Sequence, residues 1–171
     1  MPVAPGISKR KYGDPTSLSI GDEVKFFVQQ HDAERAGNHS DVRLGNKARK
    51  LYSWAVRKGL PPPGKKHYGA QTFLHDEGYG GFSGEIKSVY GKGFVQSKLK
   101  SKVIILNVDD KGLTFVTRED VPQKYRLQRI DDAKRGWLLI NVTKPQLTKT
   151  AADKMNILKF LKKAGEIKVK L

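Results

Sequence analysis

Val103-Ile104-Ile105-Leu106-Asn107-Val108, then Asp109-Asp110-Lys111-Gly112, then Leu113-Thr114-Phe115-Val116-Thr117: this stretch decides the fold. Two runs rich in β-branched and aromatic residues flank a short Asp/Gly turn, which is a strong hairpin signal. The pattern repeats outward on both sides. Upstream, Val24–Gln29, Ser40–Leu44, Leu51–Val56 and Ala70–Leu74 read as strands; downstream, Tyr125–Ile130 and Trp137–Val142 do. Asp32–Asn38 is a loop with Gly37-Asn38 as its turn signal, and Pro61-Pro62-Pro63-Gly64 is an extended loop. Glycines at 78, 80, 81, 84, 91 and 93, interleaved with Tyr79, Phe82, Tyr90 and Phe94, predict the tight turns of a strongly curved sheet. They are not a phosphate-cradling loop, because no Gly-Lys-Ser/Thr follows at the required spacing. Short strands with little helix predict a mainly β domain, a small barrel or sandwich.

One helix pattern stands near the C-terminus. Thr150 and Asp153 make a weak capping box, Met155, Leu158 and Leu161 follow at helical spacing, and Gly165 is a natural stop. Residues 1–20 therefore read as an irregular N-terminal arm, 21–147 as the β domain, and 148–171 as a helix and short strand that cap it.

Composition sets the class of partner. The chain has 171 residues, enough for one domain with a real core. It carries 33 Lys+Arg against 17 Asp+Glu, a formal net charge of +16. So much positive charge repels itself in a compact state, and a polyanion, most commonly nucleic acid, is the economical explanation. Cysteine is absent, which rules out disulfides, thiolate zinc sites and a cysteine nucleophile. No apolar run approaches the roughly 20 residues of a membrane helix, and the first residues lack the apolar stretch of a secretion signal. The expectation is a cytoplasmic, nucleic-acid-associated monomer.

The chemistry concentrates in His39-Ser40-Asp41-Val42-Arg43, with His31 just upstream. Alternate residues of a strand share a face, so His39, Asp41 and Arg43 project together, opposite Ser40, Val42 and Leu44. An imidazole, a carboxylate and a guanidinium side by side can hold a divalent metal and a phosphate; a solvated strand face would show the same alternation. His75-Asp76-Glu77-Gly78-Tyr79 sets a second imidazole and a phenol next to the glycine-rich bend.

Taken together these segments resemble one family. Phe27-Val28-Gln29-Gln30-His31-Asp32-Ala33, His39-Ser40-Asp41-Val42-Arg43-Leu44, Ser53-Trp54-Ala55-Val56-Arg57-Lys58-Gly59, the His75/Tyr79 pair and Arg135-Gly136-Trp137-Leu138-Leu139-Ile140 are similar to motifs of the 3′-phosphoesterase domain of bacterial ligase D and its free-standing relatives. Lys9-Arg10-Lys11-Tyr12 loosely matches an element near that domain's start, so the resemblance covers roughly residues 9–142. It differs in spacing: His31 and His39 are eight apart where the family has six. It implies a small curved β-barrel with a few short helices that heals nucleic-acid 3′ ends. A 3′-terminal ribonucleotide or 3′-phosphate would be removed from a recessed end with Mn²⁺ or a similar ion, in the company of a DNA ligase. By the same resemblance His31, His39 and Asp41 would hold the metal, and Arg43, Lys58, His75 and Tyr79 would act on the phosphate. Arg10 and His67 would add phosphate contacts. A non-catalytic nucleic-acid-binding module with the same fold and basic surface is the alternative.

The remaining features have plainer readings. Trp54 and Trp137 are expected as packing residues. Gln96–Lys102 alternates basic residues as a solvated edge strand does.

Overall fold

A computed structural model describes residues 12–45, 50–87 and 92–144. Among the described residues nine strands follow one another: β1 (Glu23–Ala33), β2 (Gly37–Gly45), β3 (Lys50–Val56), β4 (Lys66–Asp76), β5 (Gly84–Ile86), β6 (Gly93–Asp109), β7 (Gly112–Thr117), β8 (Lys124–Asp131) and β9 (Gly136–Asn141). They pair in the order β1-β2-β3-β4-β9-β8-β7-β6-β5, and β1 also pairs with β6. That last pairing closes eight antiparallel strands into a barrel, with β5 laid on the start of β6. The small curved barrel expected from the sequence is the fold. Every strand reading above falls inside one of these strands except that Trp137–Val142 runs one residue past β9, and β1, β4 and β6 extend well beyond their readings. The helices among the described residues are single 3-10 turns, Pro15–Ser17 and Glu77–Tyr79. Arg10 and the helix expected within 148–171 lie outside the described residues. No helix among the described residues is long and apolar enough to cross a membrane.

Period-2 alternation supplies the barrel interior. Val24, Phe26 and Val28 of β1, Val42 and Leu44 of β2, and Tyr52, Trp54 and Val56 of β3 point inward against Ile105, Leu113, Phe115, Leu127 and Leu139. Trp54 and Trp137 meet edge to face at 5.8 Å in this core, as packing residues. Leu18 of the irregular N-terminal region is buried there too, and Ser17 Oγ lies 2.8 Å from the Tyr52 hydroxyl, so this stretch packs onto the barrel.

The expected hairpin is present: Asp109 pairs with Gly112 across Asp110-Lys111, and the Lys111 backbone N–H donates to Asp109 Oδ1 at 2.9 Å. Gln96–Lys102 pairs with β1 on one side, while β5 pairs only with Gly93–Val95 and β7 only from Val103 onward. The segment is thus an edge on one side only, with Lys98, Lys100 and Lys102 exposed.

The barrel's outer face is also buried over β1 to β3. After β4 the chain turns at Glu77–Tyr79 and folds back, so that Tyr79, Phe82, Ile86 and Val95 form a second small core. Gly80 makes this possible: a Cβ there would sit 2.3 Å from the Phe27 ring. Gly93, at φ +149, lets β6 come within reach of β1, where a Cβ would fall 2.0 Å from the Asp32 carbonyl oxygen.

Candidate metal and phosphate site

The site is built on the outer face of β1 and β2. His31 pairs directly with His39 across the hairpin, and Gln29 with Asp41. The eight-residue spacing leaves this pairing intact for a simple reason. Two extra residues in a hairpin add one to each strand, so the histidines stay opposite and on one face. Gly37, at φ +74, takes the left-handed position after Glu34-Arg35-Ala36 that closes such a loop.

His31, His39 and Asp41 are all buried, and one ligand atom from each lies within 4.8 Å of the others. His31 Nδ1 is 3.1 Å from Asp41 Oδ2, and His39 Nε2 is 3.2 Å from Asp41 Oδ1. His39 Nδ1 donates to the Gly37 carbonyl at 3.1 Å, which orients the ring with Nε2 toward the carboxylate. Two imidazoles and a carboxylate suit a borderline divalent transition ion, which would take the place of the protons now between rings and carboxylate. Burial alone would raise the Asp41 pKa. The Arg43 charge and hydrogen bonds from His31 and His39 outweigh it and hold the group well below the usual carboxylate range. Burial would likewise lower His39, but its hydrogen bond and charge pairing with Asp41 win and raise it above 6.5.

Arg43 lies at the centre of the buried polar network. Its Nε donates to Gln29 Oε1 at 2.7 Å, NH1 to Ser53 Oγ at 2.8 Å, and NH2 stands 3.3 Å from Asp41 Oδ2. NH1 also lies 3.0 Å from His75 Nδ1, so the guanidinium joins the carboxylate to that imidazole. Its guanidinium carbon also lies 5.0 Å from the Tyr79 ring centre. Gln29, fully buried, donates onward to the carbonyls of Tyr79 at 2.9 Å and Phe82 at 2.8 Å. It thereby ties the fold-back segment to the guanidinium. Neither Gln29 nor Ser53 was singled out from the sequence. Gln29 was findable, since period 2 puts it on the His31 face; Ser53 has no local signal and joins through strand pairing alone.

His75 is buried on β4 and stacks on Tyr79 at 5.0 Å between ring centres. Its Nδ1 lies 2.7 Å from the Phe73 carbonyl and 3.0 Å from Arg43 NH1. A carbonyl can only accept, so the shorter contact assigns the proton to Nδ1 and leaves Nε2 as the lone-pair nitrogen. Burial, and then the Arg43 charge, pull its pKa from 6.5 down to about 3.

A stability prediction follows. Unfolded chains bind a proton at His75 near pH 6.5 and the folded chain only near 3, so the contribution is complete above 6.5 and is lost as pH falls between these values. The limiting slope is about 1.4 kcal/mol per pH unit. His39, shifted upward, works oppositely: its contribution is present below 6.5 and fades as pH rises through its raised value. Urea midpoints of the metal-free protein between pH 4 and 6.5 should therefore fall more steeply than those of His75→Gln. Parallel curves would contradict the assignment.

A groove of about 1110 Å³ opens over these residues. His31, His39, Asp41, Arg43, His75 and Tyr79 line it, and so do Lys58, just after β3, and His67, on β4. His67 Nδ1 donates to the Gly59 carbonyl at 2.8 Å. Arg35, Arg57, Lys66 and Lys92 add positive charge to the lining. No family model matches the chain, and no curated protein matches it.

Proposed function

We propose that this chain is a metal-dependent phosphoesterase that heals nucleic-acid 3′ ends, removing a 3′-phosphate or a 3′-terminal ribonucleotide to leave a 3′-hydroxyl. The observation that carries the reading is one groove holding the His31/His39/Asp41 cluster, the Arg43 guanidinium and the neutral His75 imidazole in a chain of net charge +16. The ordered motifs shared with the ligase D phosphoesterase domain supply the end-healing assignment.

A divalent ion such as Mn²⁺, bound by His31, His39 and Asp41, would supply charge neutralisation at phosphate oxygens. Phosphate-ester hydrolysis is otherwise mostly positioning and charge stabilisation. Arg43, locked by Gln29 and Ser53, offers its guanidinium charge to the phosphate and stabilises charge that grows in the transition state. Lys58, in the lining of the same groove, adds a mobile positive charge. His75 takes a proton at Nε2 once an anionic phosphate offsets the Arg43 charge. It gives that solvent-derived proton to the departing 3′-oxygen as the P–O bond breaks and water adds to phosphorus, and the water's own hydrogens leave with the released phosphate or pass to solvent. Tyr79 holds the His75 ring and the guanidinium in place. Cytoplasmic action beside a DNA ligase belongs to the same proposal.

The test is a duplex primer ending in a 3′-phosphate or a single ribonucleotide, incubated with and without Mn²⁺. Release of inorganic phosphate, or of the terminal nucleoside, only with the ion supports the proposal; an intact end with Mn²⁺ present removes it. Duplex binding should be electrostatic and largely independent of sequence, so raising salt from about 50 to 200 mM should weaken it by orders of magnitude. Fluorescence anisotropy measures this, and a flat salt profile would contradict it.

A further inference from the structure

Tyr68 of β4 is half exposed and lines the same groove, yet the chemistry above makes no use of it. Single exposed aromatics are common on protein surfaces. Two observations set this one apart. The first is its seat. The ring lies so close to Gly136 of β9 that a Cβ there would come within 3.0 Å of both Cε2 and the hydroxyl oxygen. The missing side chain lets the ring lie against backbone, with about half of the residue left open.

The second is its position. Asp41 pairs with Ala55, Ala55 with Ala70, and Ala70 with Gly136, so one row of residues crosses four strands. Tyr68 lies one same-face step along β4 from Ala70. Strand spacing and rise place its backbone about 12 Å from that of Asp41. At about 3.4 Å per stacked nucleotide, that distance is a few nucleotides along a strand. Ala55 and Ala70, the residues between, line the groove with methyl groups and leave room for a sugar. Lys66, on the same face as Tyr68, and Arg57, at the end of β3, line the groove near it and suit backbone phosphates.

We propose that Tyr68 is a stacking platform for one base of the strand whose 3′ end enters the site, with the last few nucleotides unpaired from any template, and that the enzyme therefore requires a nucleobase at that position. This rests on the 3′-end reading above and specifies how the strand is gripped.

The experiment uses single-stranded oligonucleotides with a 3′-phosphate, bound to metal-free protein so that no turnover intervenes. An abasic residue is walked through the last few positions, and affinity is measured for wild type, Tyr68→Ala and Tyr68→Phe. One abasic position should weaken wild-type binding on the order of 10- to 100-fold, the usual range for one stacked base. Tyr68→Ala should bind the unmodified strand equally weakly and lose nothing further at that position, while Tyr68→Phe keeps wild-type affinity. The fluorescence of 2-aminopurine at that position should be quenched by wild type and not by Tyr68→Ala. Wild-type affinity in Tyr68→Ala, or an equal loss at every abasic position, overturns the proposal. Position-specific stacking by a protein that hydrolyses no 3′-phosphate with Mn²⁺ would sustain the platform and remove the enzymatic reading. Hydrolysis that Tyr68→Ala leaves unchanged in both KM and affinity would do the reverse.

Discussion

His75→Ala should cut release of the 3′-phosphate by about 10²–10³ while duplex affinity stays near wild type. The imidazole is buried against Tyr79, with its Nδ1 at the Phe73 carbonyl and beside Arg43. Nothing in that arrangement reaches nucleic acid at a distance; under the proposed function the exposed basic residues of the groove would hold it. The loss should therefore fall on kcat rather than on KM, because the proton is transferred only as the bond breaks. Single-turnover assays at saturating Mn²⁺, with circular dichroism to establish folding, separate the effects. A folded His75→Ala protein with near-normal turnover would place this histidine outside the chemistry.

Asp41→Asn should remove both the metal and a large part of the stability. The carboxylate faces His31, His39 and Arg43 at 3.1, 3.2 and 3.3 Å, and all four side chains are buried. Neutralising it leaves the Arg43 guanidinium without its counter-charge, a change that typically costs on the order of 3 kcal/mol or more. Wild-type protein should melt at higher temperature when Mn²⁺ is added, since an ion bound only to the folded state stabilises it. Asp41→Asn should melt lower and show no response to Mn²⁺. An unchanged metal-induced shift in the variant would mean that the ion binds elsewhere.

Much of the site was legible because strand geometry is short-range and periodic. His39, Asp41 and Arg43 share a face by alternation alone, and Val42 and Leu44 oppose them in the core as that alternation demands. The same rule makes an even insertion between His31 and His39 harmless. Lys58 and His67 stand out through the resemblance, and both line the groove. Gln29 escaped notice because glutamine in a strand has many uses, and its role depends on Tyr79 and Phe82, some fifty residues away in sequence.

The sequence by itself determined a mainly β, cysteine-free, strongly basic chain, its hairpins, its inward-facing residues and the H-x-D-x-R face. These follow from side-chain alternation, turn chemistry and counted charge, each a property of neighbouring residues. Only the tertiary structure decided that the barrel closes through β1 and β6, and that the polar face is buried. The segment from Tyr79 to Ile86 folds back over that face, excluding water from Asp41, Arg43 and His75. That exclusion pulls the His75 pKa down, whereas at Asp41 the neighbouring Arg43 charge and the hydrogen bonds from His31 and His39 outweigh it and hold the carboxyl low. Desolvation and close charge pairing depend on groups that meet only when distant strands pack, so no local pattern could have announced them.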